Sequence, residues 1–156
     1  MKCALIGTSK FAEIHFEQLV KNKVKEITIV TRDLKKGRNL IKKLKIIYPK
    51  TLILTDKIEI LKKKKFDIID ICSTNDVHHK HLEQVSKLKS IIIIEKPLIS
   101  LLKIKKYKAF IKKLYANNRK VFVLYQMLYL SKIFKINYKK KQKIKFFKFH
   151  FSTGGK

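Results

Sequence analysis

Cys3-Ala4-Leu5-Ile6-Gly7-Thr8-Ser9-Lys10-Phe11-Ala12 is the stretch on which the fold turns. The apolar run that opens it is too short for a helix and is closed by Gly7, after which Phe11, Ile14 and Leu19 recur at helical spacing as far as residue 22. Strand, turn, helix is the simplest reading, and the unit repeats. Residues 26–31 read as a strand and 34–45 as a helix, 51–55 as a strand and 56–65 as a short helix capped by Asp56, and 67–73 as a fourth strand. A helix over 76–89, a fifth strand over 90–95 rich in isoleucine, a long helix over 100–117 capped by Ser100 and a sixth strand over 120–126 complete the series. Strands that are apolar on both faces and alternate with helices belong to a parallel sheet covered on both sides, and right-handed crossovers wind it doubly. The expected class is α/β, a doubly wound parallel sheet of the Rossmann type over residues 1–127.

Past residue 127 the alternation stops. A Lys-rich segment leads into residues 144–151, where apolar or aromatic side chains alternate with Lys or His as in a strand with one wet face. Residues 128–156 are expected to begin a second α+β domain that is cut off soon after its start.

Composition narrows the function classes. With 46% hydrophobic residues, four Gly and two Pro, the chain can bury enough apolar surface to fold and is no disordered tail. A formal charge of +28 ordinarily points to nucleic acid or an anionic membrane surface. The only arginines, however, are Arg32, Arg38 and Arg119; the rest is Lys, spread over helix faces as at Lys42, Lys43, Lys112 and Lys113 as well as in the run from Lys62 to Lys65. Lys meets a phosphate as a point charge, whereas planar bidentate contacts are made by Arg. Lys together with heavy use of Ile is what AT-rich coding produces, so a solvated surface is expected and nucleic acid is not the expected partner. No apolar run approaches the roughly 20 residues that span a bilayer, and no early stretch has the order of a signal peptide, so a cytoplasmic protein without a membrane partner is expected. Cys3 and Cys72 have no metal-ligand or CxxC spacing and sit in strand-like runs, which makes them reduced core residues rather than nucleophiles.

Two segments suggest a dinucleotide. In the turn from Gly7 to Ala12 the first glycine of a phosphate-binding fingerprint permits the tight turn and the third position, here Ala12, packs helix on strand; Ser9 replaces the middle glycine. A serine still offers its amide and hydroxyl to a phosphate at the helix start, although one Gly before a helix also serves as a plain turn. At the end of the second strand, Thr31 followed by Arg32 and Asp33 leans toward NADP, since Arg pairs with a 2′-phosphate. The same pair serves equally as a polar exit into the helix, and if Asp33 rather than Arg32 faces the ribose the cofactor is NAD.

The third segment is more specific. Ile71-Cys72-Ser73-Thr74-Asn75-Asp76-Val77-His78-His79 is followed by an amphipathic helix, by Ile91 to Ile94, and by Glu95-Lys96-Pro97-Leu98. This resembles the Gfo/Idh/MocA oxidoreductases, the glucose-fructose oxidoreductase and inositol dehydrogenase type, whose nucleotide-binding half carries a strand ending in Thr-Pro-Asn, a His shortly after, and a strand ending in Glu-Lys-Pro. Thr74, Asp76 and His79 fall on the Thr, Asn and His positions, while Glu95, Lys96 and Pro97 match outright. The likeness spans essentially the whole chain. Asn75 stands for the family's Pro, Asp76 for its Asn and Ser9 for a Gly, and each change loosens a cofactor contact.

The resemblance implies hydride transfer between NAD(P) and a sugar or cyclitol hydroxyl or ketone. Lys96 is implied as the catalytic residue, touching the nicotinamide ribose and the substrate hydroxyl; a Lys serves there if burial and nearby cations lower its pKa. Glu95 is implied to hold the nicotinamide side, and Pro97 to fix the turn after a cis peptide. The expected cofactor contacts are Gly7, Thr8, Ser9, Lys10, Phe11 and Ala12, then Thr31 and Arg32, then Ser73, Thr74, Asn75 and His79, and last Glu95 and Lys96. No metal is expected: His78 and His81 lack a third ligand at helical spacing. Three readings stay open. They are a sugar or cyclitol dehydrogenase completed by a second polypeptide or oligomer partner, a fragment that binds nucleotide without turnover, and a basic nucleic-acid-binding protein on the same scaffold.

Overall fold

Successive side chains of a strand face opposite sides of its sheet, so a strand without a polar face has to be covered twice. β1 (Lys2–Ile6) buries Cys3, Ala4, Leu5 and Ile6, and β2 (Glu26–Val30) is buried from Ile27 onward. β3 (Leu52–Asp56), β4 (Ile68–Ile71), β5 (Ile91–Glu95) and β6 (Val121–Leu124) join them in one parallel sheet of order β3-β2-β1-β4-β5-β6. The computed structural model describes residues 1–99, 103–117 and 120–124. The expected cap at Ser100, the end of the sixth strand and the strand at 144–151 lie outside them.

Two cores sit on the two faces. On one, Cys3, Leu5, Ile27 and Ile29 meet Phe16 and Leu19 of α1 (Lys10–Lys21) and Leu40 and Leu44 of α2 (Leu34–Ile47). On the other, Ala4, Ile6, Ile69, Ile71, Ile92 and Ile94 meet Leu61 of α3 (Ile60–Lys63) and Leu82 and Val85 of α4 (His78–Val85). Phe110 and Leu114 of α5 (Ile104–Ala116) pack against this second core. The expected doubly wound parallel sheet is the one observed.

Some boundaries differ, each for a local reason. Asp56 caps no helix: it is the last residue of β3, where its carbonyl accepts from Thr31 N at 3.0 Å and its carboxylate from Lys57 N at 2.7 Å. Pairing with β2 thus claims the residue, and the helix shrinks to the single turn Ile60–Lys63. The helix expected from residue 76 begins at His78, because Val77 N donates to Thr74 O at 3.1 Å in a turn that precedes it.

Candidate functional site

The chain leaves β1 toward β2 on one side and reaches β4 on the other, so the loops at the carboxyl ends of these neighbours part and leave a crevice. A cleft of about 160 Å3 lies there, lined by Ser9, Phe11, Cys72, Ser73, Asn75, Glu95 and Lys96. A larger depression of about 390 Å3 lies before and at the amino end of β3, among Lys45, Pro49, Lys50, Thr51 and Leu52, and no carboxylate, His or Cys lines it.

Gly7 makes the cleft possible. Its φ is +136°, and a Cβ built there would sit 2.7 Å from the Cys72 carbonyl oxygen, so the turn after β1 can approach the end of β4 only as glycine. Ser9 is the N-cap of α1, its Oγ accepting from Ala12 N at 3.4 Å, and Ala12 is fully buried against the sheet. The hydroxyl thus accepts from the helix start and keeps its own O–H to donate. The amides of Lys10 and Phe11, in the first turn, have no acceptor within the helix and carry the positive end of its dipole. Thr8 is half-buried, Lys10 exposed, and Phe11 forms part of the cleft wall.

At the end of β2, the Asp33 carboxylate caps α2, accepting from Lys35 N at 3.0 Å and Lys36 N at 3.1 Å. Thr31 Oγ1 accepts from Asp33 N at 3.2 Å, and Arg32 is exposed. Of the two charged residues weighed for the ribose, Asp33 is committed to its helix and Arg32 is not. The Thr74 hydroxyl holds the Asp76 carboxyl below the usual carboxylate range, with Lys103 and Arg32 adding to the effect.

After β4, Ser73 and Asn75 line the cleft while Thr74 and Asp76 are exposed. The two histidines at the start of α4 part company. His78 is buried with Nε2 2.7 Å from Ser73 O and Nδ1 2.9 Å from Pro97 O, tying the loop after β4 to the loop after β5. His79 packs edge-on against Tyr107 with centroids 4.8 Å apart, outside the cleft lining, and burial and Lys103 hold its pKa below the usual value. Sequence reasoning singled out His79 and passed over His78. One step along a helix turns a side chain by about 100°, so neighbours in sequence face different surroundings. His81 differs again, its Nδ1 lying 2.8 Å from Ser73 Oγ. His78 and His81 thus both hold Ser73, one at its carbonyl and the other at its hydroxyl, while His79 packs on Tyr107.

At the end of β5 the Lys96–Pro97 peptide is cis, as expected. Lys96 is exposed at the cleft, so the described residues do not supply the burial that a proton-transferring Lys calls for. Glu95 is held at both oxygens: Oε2 accepts from Lys96 N at 3.1 Å and Oε1 lies 3.1 Å from His15 Nε2. The other nitrogen of His15 is 2.9 Å from Asp70 Oδ2, and the Cys72 thiol donates to Asp70 Oδ1 at 3.3 Å. Burial by itself would lower the His15 pKa, but Asp70 and Glu95 outweigh it and the pKa is raised. Burial, then the Asp70 carboxylate, push the Cys72 thiol well up. His15, Asp70 and Cys72 hold ligand-type atoms within 4.8 Å of one another. His15 Nδ1 and Cys72 Sγ are only 2.9 Å apart. A tetrahedral zinc would spread such a pair to roughly 3.5 Å, so the spacing does not match that geometry.

Sheet order, glycine turn and cleft at the switch point define a Rossmann nucleotide-binding domain. The chain belongs to the Gfo/Idh/MocA family: the family model described as an oxidoreductase family with an NAD-binding Rossmann fold matches residues 1–125. Among curated proteins none matches. Among solved structures, the chain is similar to a myo-inositol 2-dehydrogenase from Lactobacillus plantarum, with 19% identity and a TM-score of 0.65 over 86% of this chain and 41% of that one. It is also similar to an oxidoreductase from Agrobacterium radiobacter in complex with NAD+, L-tartaric acid and magnesium, at 23% identity and a TM-score of 0.62 over 79% of this chain and 34% of that one. A third is the WlbA (WbpB) dehydrogenase from Thermus thermophilus in complex with NAD and UDP-GlcNAcA, at 18% identity and 0.63 over 88% and 48%. The chain thus spans less than half the length of these structures.

Proposed function

We propose that this chain is the dinucleotide-binding part of an NAD(P)-dependent oxidoreductase that acts on a sugar or cyclitol hydroxyl or ketone. The observation that carries this is the meeting of Lys96 and Glu95 with Ser9 and Phe11, from the start of α1, in one cleft at the sheet's switch point. The residues fit a dinucleotide: a side chain at position 7 would close the turn, and the first amides of α1 face outward from a capped helix start. When bound, the nicotinamide supplies the hydride donor or acceptor. The amides of Lys10 and Phe11 would take the pyrophosphate, with Ser9 keeping the helix start in shape. Arg32 would pair with a 2′-phosphate, which leans the preference to NADP. Ser73, Thr74 and Asn75 would flank the dinucleotide, and Lys96 would hold or accept the proton of the substrate hydroxyl. Residues 128–156 are read as the start of a substrate domain, and the sugar-like substrate as bound only when that domain is complete. Hydride transfer needs a substrate in near-attack geometry, so the chain alone is expected to bind nucleotide without turnover. A cytoplasmic setting fits the free thiols of Cys3 and Cys72.

Fluorescence titration with NADPH and NADH at moderate salt tests the proposal. Saturable binding, tighter for NADPH and weakened in Lys96→Ala, is the expected result. A folded chain that binds neither dinucleotide overturns it.

A further inference from the structure

Beneath the cleft lies a group of charges that the nucleotide site does not by itself require. His15 of α1 is about nine-tenths buried, Asp70 of β4 is 2% exposed, and Glu95 closes β5. An ionised carboxylate only accepts hydrogen bonds, and a neutral imidazole has one N–H to give. His15 presents one nitrogen to each of two carboxylates, at 2.9 Å and 3.1 Å. A neutral ring would therefore turn a lone pair toward one of them. Among the described residues, moreover, His15 is the one basic group in ion-pair contact with Asp70, and a buried carboxylate without a cation is costly.

We propose that His15 is a positioning residue of the cleft: its doubly protonated ring, clamped between Asp70 and Glu95, fixes the Glu95 carboxylate under the Lys96 amide and so sets where Lys96 stands. The chain of contacts is continuous. Asp70 takes one ring N–H and the Cys72 thiol; the second ring N–H goes to Glu95 Oε1, and Glu95 Oε2 takes the Lys96 amide at 3.1 Å. The groups facing His15 are Asp70 and Cys72 from β4 and the residue after it and Glu95 from β5, with Cys3 of β1 near Asp70. Neither thiol supplies charge to the clamp, since burial and Asp70 raise both. The folded-state pKa of His15 is raised, so the clamp is complete at and below the ring's ordinary range and is lost as pH rises through the higher folded value.

The clamp does not depend on what occupies the cleft, whereas its effect on dinucleotide binding rests on the function proposed above. The test follows the His15 ring nitrogens and the Lys96 backbone amide by NMR from about pH 5.5 to 9.5, a window that brackets the ordinary imidazole value of about 6.5. NADPH affinity is measured in parallel. Expected are two ring N–H groups at neutral pH, a midpoint above the ordinary value, and a Lys96 amide that shifts with the same midpoint. The dissociation constant should rise about tenfold across it, the order of one charge-assisted hydrogen bond. Glu95→Gln should lower the His15 midpoint, and His15→Gln should bind weakly with no pH dependence over that range. A single ring N–H near pH 6, a Lys96 amide blind to the His15 titration, or a His15→Gln chain with unchanged pH dependence overturns the clamp. Absence of dinucleotide binding at every pH overturns the proposed function, while the ring and amide signals still decide the clamp; they also decide it if His15→Gln does not fold.

Discussion

At Gly7 the absence of a Cβ lets the ends of β1 and β4 meet, because the position that atom would take is 2.7 Å from the Cys72 carbonyl and the backbone has φ +136°. Gly7→Ala should therefore cost about 1–3 kcal/mol, combining left-handed strain with a backbone contact that cannot swing away. Urea unfolding checks it, and an unchanged midpoint would show that the turn is looser than drawn. Gly7 was legible as a turn because it closes an apolar run just before a helix, although that position alone did not separate a phosphate loop from a plain turn. His15 was not. It sits at an unremarkable place in an amphipathic helix, and its partners Asp70 and Glu95 are 55 and 80 residues away in the chain. His78 was hidden for a related reason: beside His79 and near His81 it offered no pattern to separate it, and only its neighbours Ser73 and Pro97 do so.

The helix α2 shows how an element's ends and packing divide the work of adjacent residues. Asp33 satisfies two amides at its start, and Gly37 lets it lie close on β2 and β3, where a Cβ would run into Thr55 Oγ1 and approach Thr31. Asp33→Ala should cost about 1 kcal/mol by loss of the cap while leaving the ratio of NADPH to NADH affinity unchanged. Arg32→Ala should reduce that ratio with little effect on stability. Thermal unfolding and paired titrations separate the two, and a ratio that moves with Asp33 instead would assign the ribose contact to that carboxylate. Element ends were the least legible part of the fold. Asp56 carries a good capping side chain, yet its backbone is claimed by pairing with β2, a partner whose register the local sequence does not contain.

Thirty-nine Lys and Arg against eleven Asp and Glu leave the molecule a formal charge of +28. Glu26 already serves two of the cations, pairing with both Lys2 and Lys64. Self-repulsion among solvated lysines is screened over about 10 Å at 0.1 M salt, so the melting temperature should rise by a few degrees between about 0.02 and 0.3 M NaCl. Calorimetry across that series checks it, and a melting temperature that falls would mean that attractive pairs dominate the surface. Among the described residues no helix is long and apolar enough to cross a membrane. What the sequence determined by itself was the class of fold and the family. Strands apolar on both faces need two covering layers, right-handed crossovers leave one winding, and the fifth strand runs out into Glu95-Lys96-Pro97 whatever the rest of the chain does. What only the tertiary structure decided was which polar groups meet: His15 with Asp70 and Glu95, His78 with two loops, Asp33 with its own helix. Hydrophobic burial depends on a residue's face and period, which can be read locally, whereas a hydrogen bond needs two atoms within about 3 Å, and folding brings distant residues to that separation.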